Sequence, residues 1–159
     1  GRNGAGKTTL LEALAGLRRP EQGHVRRTET DALHWLGHKN GLNPALSAVE
    51  NLEFWCGLNG VPAVGVTTAL HRLGVRAARH RPVRTLSTGQ KRRTALARLL
   101  LVRRPWWLLD EPLAGLDAAG TEDFAALLDM HRRAGGGVLL TAHQALPASC
   151  GPVRVVALP

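Results

Sequence analysis

Read for its alternation of apolar and polar positions, the chain of 159 residues divides into helical stretches separated by short apolar runs. Leu10, Leu11, Leu14 and Leu17 fall on one stripe of a helix that follows the glycine-rich opening GRNGAGKTT, and this stripe is expected to be buried. Gly23 to Arg27 reads as a short exposed strand, and His34 to Leu36 as a second strand. Ser47 and Glu50 have capping-box spacing, which opens a helix running to about Leu58 before Gly60, Pro62 and Gly65 interrupt it. Ser87 and Gln90 repeat that spacing ahead of the basic helical stretch Lys91 to Leu101. Trp106 to Leu109 is a continuous apolar run of the kind that forms a buried parallel strand. Asp123 to Arg133 is amphipathic at helical spacing and is stopped by Gly135 to Gly137; Val138 to Leu140 then gives another apolar strand, and a last one is expected around Val153 to Ala157. No internal repeat is visible.

The first chemistry lies in the opening itself. In GRNGAGKTT, Gly1, Gly4 and Gly6 permit backbone amides to approach a polyphosphate closely, because glycine has no Cβ to block them. Lys7 adds a positive charge near the terminal phosphates, the Thr8 hydroxyl can enter a magnesium shell, and the helix that follows points its positive end the same way. Such a loop alone is a good signal of phosphate binding, with a glycine-rich turn before an ordinary helix as the lesser reading. Ser87-Thr88-Gly89-Gln90 presents a second helix start with a small hydroxyl and a glycine; by itself it reads as a capped amphipathic helix with a solvated basic face. The strand Trp106-Trp107-Leu108-Leu109 ends in Asp110 and Glu111. In open α/β sheets ligands collect beyond the carboxyl ends of strands, so Asp110 suits the magnesium shell and Glu111 suits deprotonating the attacking water. The strand Val138 to Leu140 leads to His143, which at that place can bond a γ-phosphate and hold the water in line with Glu111.

Composition changes this picture little. The length suits one domain. Cys56 and Cys150 have no metal or CxxC spacing, which fits a reducing compartment. No run approaches the ~18 apolar residues of a membrane span, so any translocation needs a separate membrane subunit. The net charge of +9 comes mainly from arginine pairs, among them Arg18-Arg19, Arg26-Arg27, Arg92-Arg93, Arg103-Arg104 and Arg132-Arg133. These read as solvated faces; an anionic leaflet or nucleic acid is the other reading, and no basic tract interleaved with aromatics supports the latter.

Taken in order, these segments resemble one family, the ATP-binding cassette ATPases. GRNGAGKTT is similar to Walker A, LSTGQ (86–90) to the family signature, WWLLDE (106–111) to Walker B with its catalytic glutamate, AGLD (114–117) to the D-loop, and TAHQ (141–144) to the switch-histidine segment. The stretch GHKNGL (37–42), then ENLEFW (50–55), narrows the resemblance to the ATPase subunit of the cytochrome c maturation haem exporter. The resemblance implies an α/β P-loop NTPase: a mostly parallel sheet flanked by helices, with an inserted helical subdomain and the N-terminal β part absent. It implies a single cassette over residues 1–159, with 1–42 and 102–159 as catalytic core and 43–101 as the helical subdomain. ATP and Mg2+ are the implied ligands. Gly1, Arg2, Asn3, Gly4, Ala5, Gly6, Lys7, Thr8 and Thr9 would bind nucleotide, with Ser87, Thr88, Gly89, Gln90 and Asp117 joining from the signature and D-loop. Thr8 and Asp110 would hold the metal, and Glu111, His143 and Lys7 would carry catalysis.

The same resemblance implies a homodimer of cassettes closing head to tail on ATP, an integral membrane transporter subunit as partner, no nucleic acid, and a place on the cytoplasmic face of the bacterial inner membrane. The family's strand before the P-loop and its adenine-stacking aromatic have no counterpart in these residues, so the segment by itself is expected to be poorly stable and nearly inactive. One position departs: where the family has a glutamine that touches magnesium and water, the aligned place is Lys39, preceded by His38, and a cation cannot ligate as an amide carbonyl does. Other readings left open are another small exporter's ATPase, a non-transport cassette acting on nucleic acid or the ribosome, and a regulatory cassette without turnover.

Overall fold

A computed structural model describes residues 4–26, 33–143 and 145–158. Gly1, Arg2, Asn3, Arg27 and Gln144 therefore lie outside the described residues.

Three short strands, β1 (Leu33–Leu36), β2 (Trp106–Leu109) and β3 (Gly137–Leu140), form a parallel sheet in that order. The register pairs Leu36 with Leu109 and Leu109 with Leu140. Because the strands are parallel and end level, the segments after them all emerge at one edge: residues 37–41, Asp110-Glu111, and Thr141 to His143. This is the one feature of the fold on which the site depends. The pairing continues past the strands, with the Asp110 amide bonded to the Leu36 carbonyl at 2.7 Å and the Thr141 amide to that of Leu109 at 3.0 Å.

Helix α1 (Lys7–Ala15) starts directly at the phosphate-loop motif. The connection from β1 to β2 is helical: α2 (Ala48–Leu58), α3 (Val66–Arg72), α4 (Thr88–Leu96) and α5 (Arg98–Leu101), the last two joined at Ala97, whose backbone stays helical. Both predicted capping boxes form. Ser47 accepts from the Glu50 amide while Glu50 accepts from that of Ser47, and Ser87 and Gln90 do the same. Leu52, Cys56, Leu70, Leu73 and Leu96 fill one core with Trp107, Leu109 and Phe124. Helix α6 (Ala118–Arg133) returns the chain to β3.

Several expectations need correction. Helix α6 begins five residues before Asp123, because the Asp117 carboxylate accepts from the Gly120 amide and caps it. Of the α1 stripe only Leu11 is buried, together with Ala13; Leu10 and Leu17 are exposed, since the described sheet meets only one side of this helix. Residues 23–26 form no strand, nor do 153–157: Val153, Val155 and Val156 are exposed, and no described strand lies alongside them to complete a ladder. Trp106 is not buried like the rest of β2; it is 55 % exposed, its ring lying across Gly137 where a Cβ would not fit.

Two histidines, His34 buried and His131 half-buried, pack away from the site. His34 is buried with its Nε2 2.7 Å from the Val102 carbonyl, and His131 stacks on Trp107 with centroids 3.7 Å apart. Burial lowers the pKa of both below the ordinary value of 6.5, so the folded state keeps them neutral while the unfolded chain takes up protons as pH falls. Stability is thus complete above about pH 6.5 and is lost as pH falls below it toward the lowered folded values. Melting temperatures measured from pH 8 to 5 should be level at the upper end and decline below about 6.5; a profile level throughout would refute the role of these two rings.

Candidate active site

Gly4 and Gly6 have φ of 84° and 82°, the left-handed region that L side chains avoid, with open space where a Cβ would project. The glycines are required by backbone conformation rather than by crowding within the chain, and the open space is what a phosphate would need. Gly6 caps α1, whose first helical bond runs from the Leu10 amide to the Gly6 carbonyl at 2.8 Å. The amides of Lys7, Thr8 and Thr9 stand ahead of that ladder, at the positive end of the helix.

The helix start is tied to the end of β2. Thr8 Oγ1 donates to Asp110 Oδ2 at 2.9 Å, and Thr141 Oγ1 donates to Asp110 Oδ1 at 2.6 Å. Asp110 is 1 % exposed, yet its oxygens accept from hydroxyls of two other elements. A buried carboxylate beside a threonine hydroxyl is a hard oxygen donor set, which fits magnesium. Among the described residues there is no group of three or more His, Cys, Asp or Glu that could hold a metal.

Glu111 is the only non-glycine residue among those described with positive φ, 49°. That conformation persists because both of its peptide groups are held: its amide donates to Thr141 Oγ1 at 2.9 Å, and its carbonyl accepts from Arg92 Nη2 at 2.9 Å. The twist sends the side chain to His143, whose Nε2 lies 2.6 Å from Oε1. A carboxylate only accepts, so that nitrogen carries the proton. On the other side, His38 Nδ1 lies 3.7 Å from Oε2. His38, not Lys39, is the residue of the loop after β1 that reaches Glu111. Lys39 instead lines a separate recess of about 380 Å³ with His34, Trp55, Arg98 and Arg104.

Arg92 corrects the reading of the arginine pairs as solvated faces. It is 2 % exposed, and its five N–H groups make five bonds. Nε reaches the Pro112 carbonyl (3.2 Å), Nη1 the Gly37 carbonyl (2.9 Å) and Asn40 Oδ1 (3.0 Å), and Nη2 the carbonyls of Asp110 (2.6 Å) and Glu111 (2.9 Å). Burial lowers its pKa to about 10, with Asp110 and Glu111 opposing the shift, so it stays charged at neutral pH.

The signature residues sit at the start of α4. Ser87 and Gln90 bond each other, and a Cβ on Gly89 would come within 2.7 Å of the Gly115 carbonyl oxygen, so this glycine is dictated by close approach to the turn 113–117. Thr88 packs its methyl against Gly115. Asp117 caps α6 and pairs with Arg93, and these bonds, the Gly120 amide foremost, hold its pKa below the usual carboxylate value. The structure thus brings Thr8, Asp110, Glu111 and His143 together and gives Asp117 a bracing position. The sequence reading assigned no role to Thr141 or Arg92. Thr141 was detectable as the residue that follows β3 at the level where Asp110 follows β2.

The family model described as ABC transporter matches residues 1–114. The chain is 45 % identical over 150 residues to the cytochrome c biogenesis ATP-binding export protein CcmA of Brucella abortus, covering 90 % of this chain and 70 % of that protein. It is 43 % identical over 162 residues to the protein of that name from Bradyrhizobium diazoefficiens, covering 98 % and 81 %. Among solved structures, it is similar to the ATP-binding cassette MJ0796, a dimer in a post-hydrolysis state bound to ADP and Pi, with a TM-score of 0.76 at 26 % identity over 90 % of this chain and 72 % of that one.

Replacing Thr141 by valine keeps the shape but strips partners from the Glu111 amide and from buried Asp110 Oδ1. Urea unfolding should register a loss of about 1–3 kcal/mol; an unchanged midpoint would show that the hydroxyl does not hold the acid pair.

Proposed function

We propose, for a chain that belongs to the ABC transporter family and within it to the cytochrome c biogenesis ATP-binding export proteins, that it hydrolyses ATP to power a membrane exporter serving haem delivery to cytochrome c. The observation that carries the hydrolytic reading is Glu111: a carboxylate in a held left-handed backbone, one residue past a buried aspartate bonded to Thr8, with a histidine on its outer oxygen.

Each group has a chemical part. Lys7 and the amides at the start of α1 grip the phosphates, and Gly1, Arg2 and Asn3 belong to the same nucleotide-binding motif. Thr8 and Asp110 hold magnesium, which when bound neutralises phosphate charge. Glu111 takes a proton from water as the oxygen attacks the γ-phosphorus and the bond to the bridging oxygen of ADP breaks. His143 keeps the carboxylate turned toward that water.

The start of α4 is supplied for a second molecule. Ser87, Thr88, Gly89 and Gln90, and Asp117 beside them, complete the nucleotide site of a twin chain packed head to tail. A helix start with a small hydroxyl and a glycine, in addition to the start of α1, on a chain with one acid pair supports this. No described helix is long and apolar enough to cross a membrane. A membrane subunit carries the cargo and selects it, and residues 43–101 are the subdomain that docks there. The complex works at the cytoplasmic face of the bacterial inner membrane.

Glu111→Gln removes the base while preserving shape and hydrogen bonding. In the full chain it should bind ATP as the parent does, lose at least about a hundredfold in turnover, and accumulate as a dimer in ATP on size exclusion. Parent-like turnover would show that Glu111 is not the base.

A further inference from the structure

The loop after β1 is fixed more tightly than its exposure suggests. Arg92 holds it at Gly37 and Asn40, on either side of His38 and Lys39, while Arg98 binds the carbonyls of Asn40 at 3.1 Å and Gly41 at 2.6 Å. Upstream, the Leu36 carbonyl is bonded to the Asp110 amide. Two of these anchors, Arg92 and the Asp110 amide, also touch the segment that carries Glu111, so the His38 backbone is positioned relative to Glu111 by shared partners. The imidazole is 70 % exposed and has no core to pack in; its neighbour is Glu111 Oε2.

The separation of 3.7 Å between His38 Nδ1 and Glu111 Oε2 is too long for a direct hydrogen bond and short enough for one water to touch both atoms. His143 already occupies Oε1, leaving Oε2 as the oxygen free to take a proton. Resting on the hydrolytic reading above, we propose that His38 is a further catalytic residue, which together with Glu111 holds the attacking water.

One O–H of that water points to Glu111 Oε2 and gives up its proton there. The other O–H is accepted by the Nδ1 lone pair of His38, which keeps its own proton on Nε2 toward solvent and gains none. With both O–H bonds directed, the oxygen lone pair is left to attack phosphorus. Lys39 cannot substitute, because an ammonium has donors and no acceptor. The requirement at position 38 is therefore an acceptor at the right reach, which a glutamine carbonyl also provides.

The test measures steady-state ATPase and ATP binding on the full chain for His38→Ala, His38→Gln, His38→Lys and Lys39→Ala, with Glu111→Gln alongside. His38→Ala and His38→Lys should each lose about ten- to a hundredfold in kcat with ATP affinity within about twofold of the parent. His38→Gln should recover most of that loss, and Lys39→Ala should behave as the parent. The exposure of the ring keeps folding out of the result, and parent-like melting checks it. Equal losses for alanine and glutamine, a parent-like His38→Ala, or a loss confined to ATP affinity would overturn the role of His38. Normal turnover by Glu111→Gln would instead remove the reading on which it rests.

Discussion

A single buried guanidinium, that of Arg92, joins the parts of this protein that must act together. Taking its charge out of water is costly, and only a full set of partners offsets the cost. The chain supplies one acceptor for each N–H: four carbonyls and one amide oxygen, drawn from the ends of β1 and β2. The carboxylates of Asp110 and Glu111 favour the charged form as well. The helix that begins at Ser87 is thereby fastened to the strand end that carries Glu111 and to the loop that carries His38. A lysine, with three donors at a point, could not match acceptors spread over that plane.

That fastening explains how a strained residue persists at the centre. Glu111 adopts a backbone conformation unfavourable for its type, at a cost on the order of 1–3 kcal/mol, and Thr141 and Arg92 hold its two peptide groups from opposite directions. Parallel strands ending level deliver Thr141 and His143 from one neighbour and His38 from the other. This grouping around Glu111 is thus a consequence of sheet register, and the helix that begins at Ser87 is linked to it by one side chain.

The parts legible from sequence were those whose chemistry is local. The P-loop glycines Gly4 and Gly6, both capping boxes, the apolar strands that end at Leu36, Leu109 and Leu140, and the adjacent acids each depend on neighbours a few residues away, and those elements formed where expected. What depended on distant partners was not legible. Arg92 looked like one half of a solvated pair because its five acceptors lie 18 to 55 residues away in sequence. Lys39 aligned with the family's glutamine by count, but the turn after Leu36 directs His38 to Glu111. Val153 to Ala157 had strand composition, which does not form a strand without a ladder beside it. Trp106 had the hydrophobicity of a core residue and sits at the open end of β2.

Arg92, buried with each N–H group already bonded to the chain, sets the geometry in which Glu111 works. The direct measurement is ATP turnover and ATP affinity of Arg92→Lys, which keeps the charge and removes the planar set of donors. The account predicts retained nucleotide affinity, through Lys7 and Thr8, with kcat reduced at least about tenfold. Turnover within about twofold of the parent would contradict it.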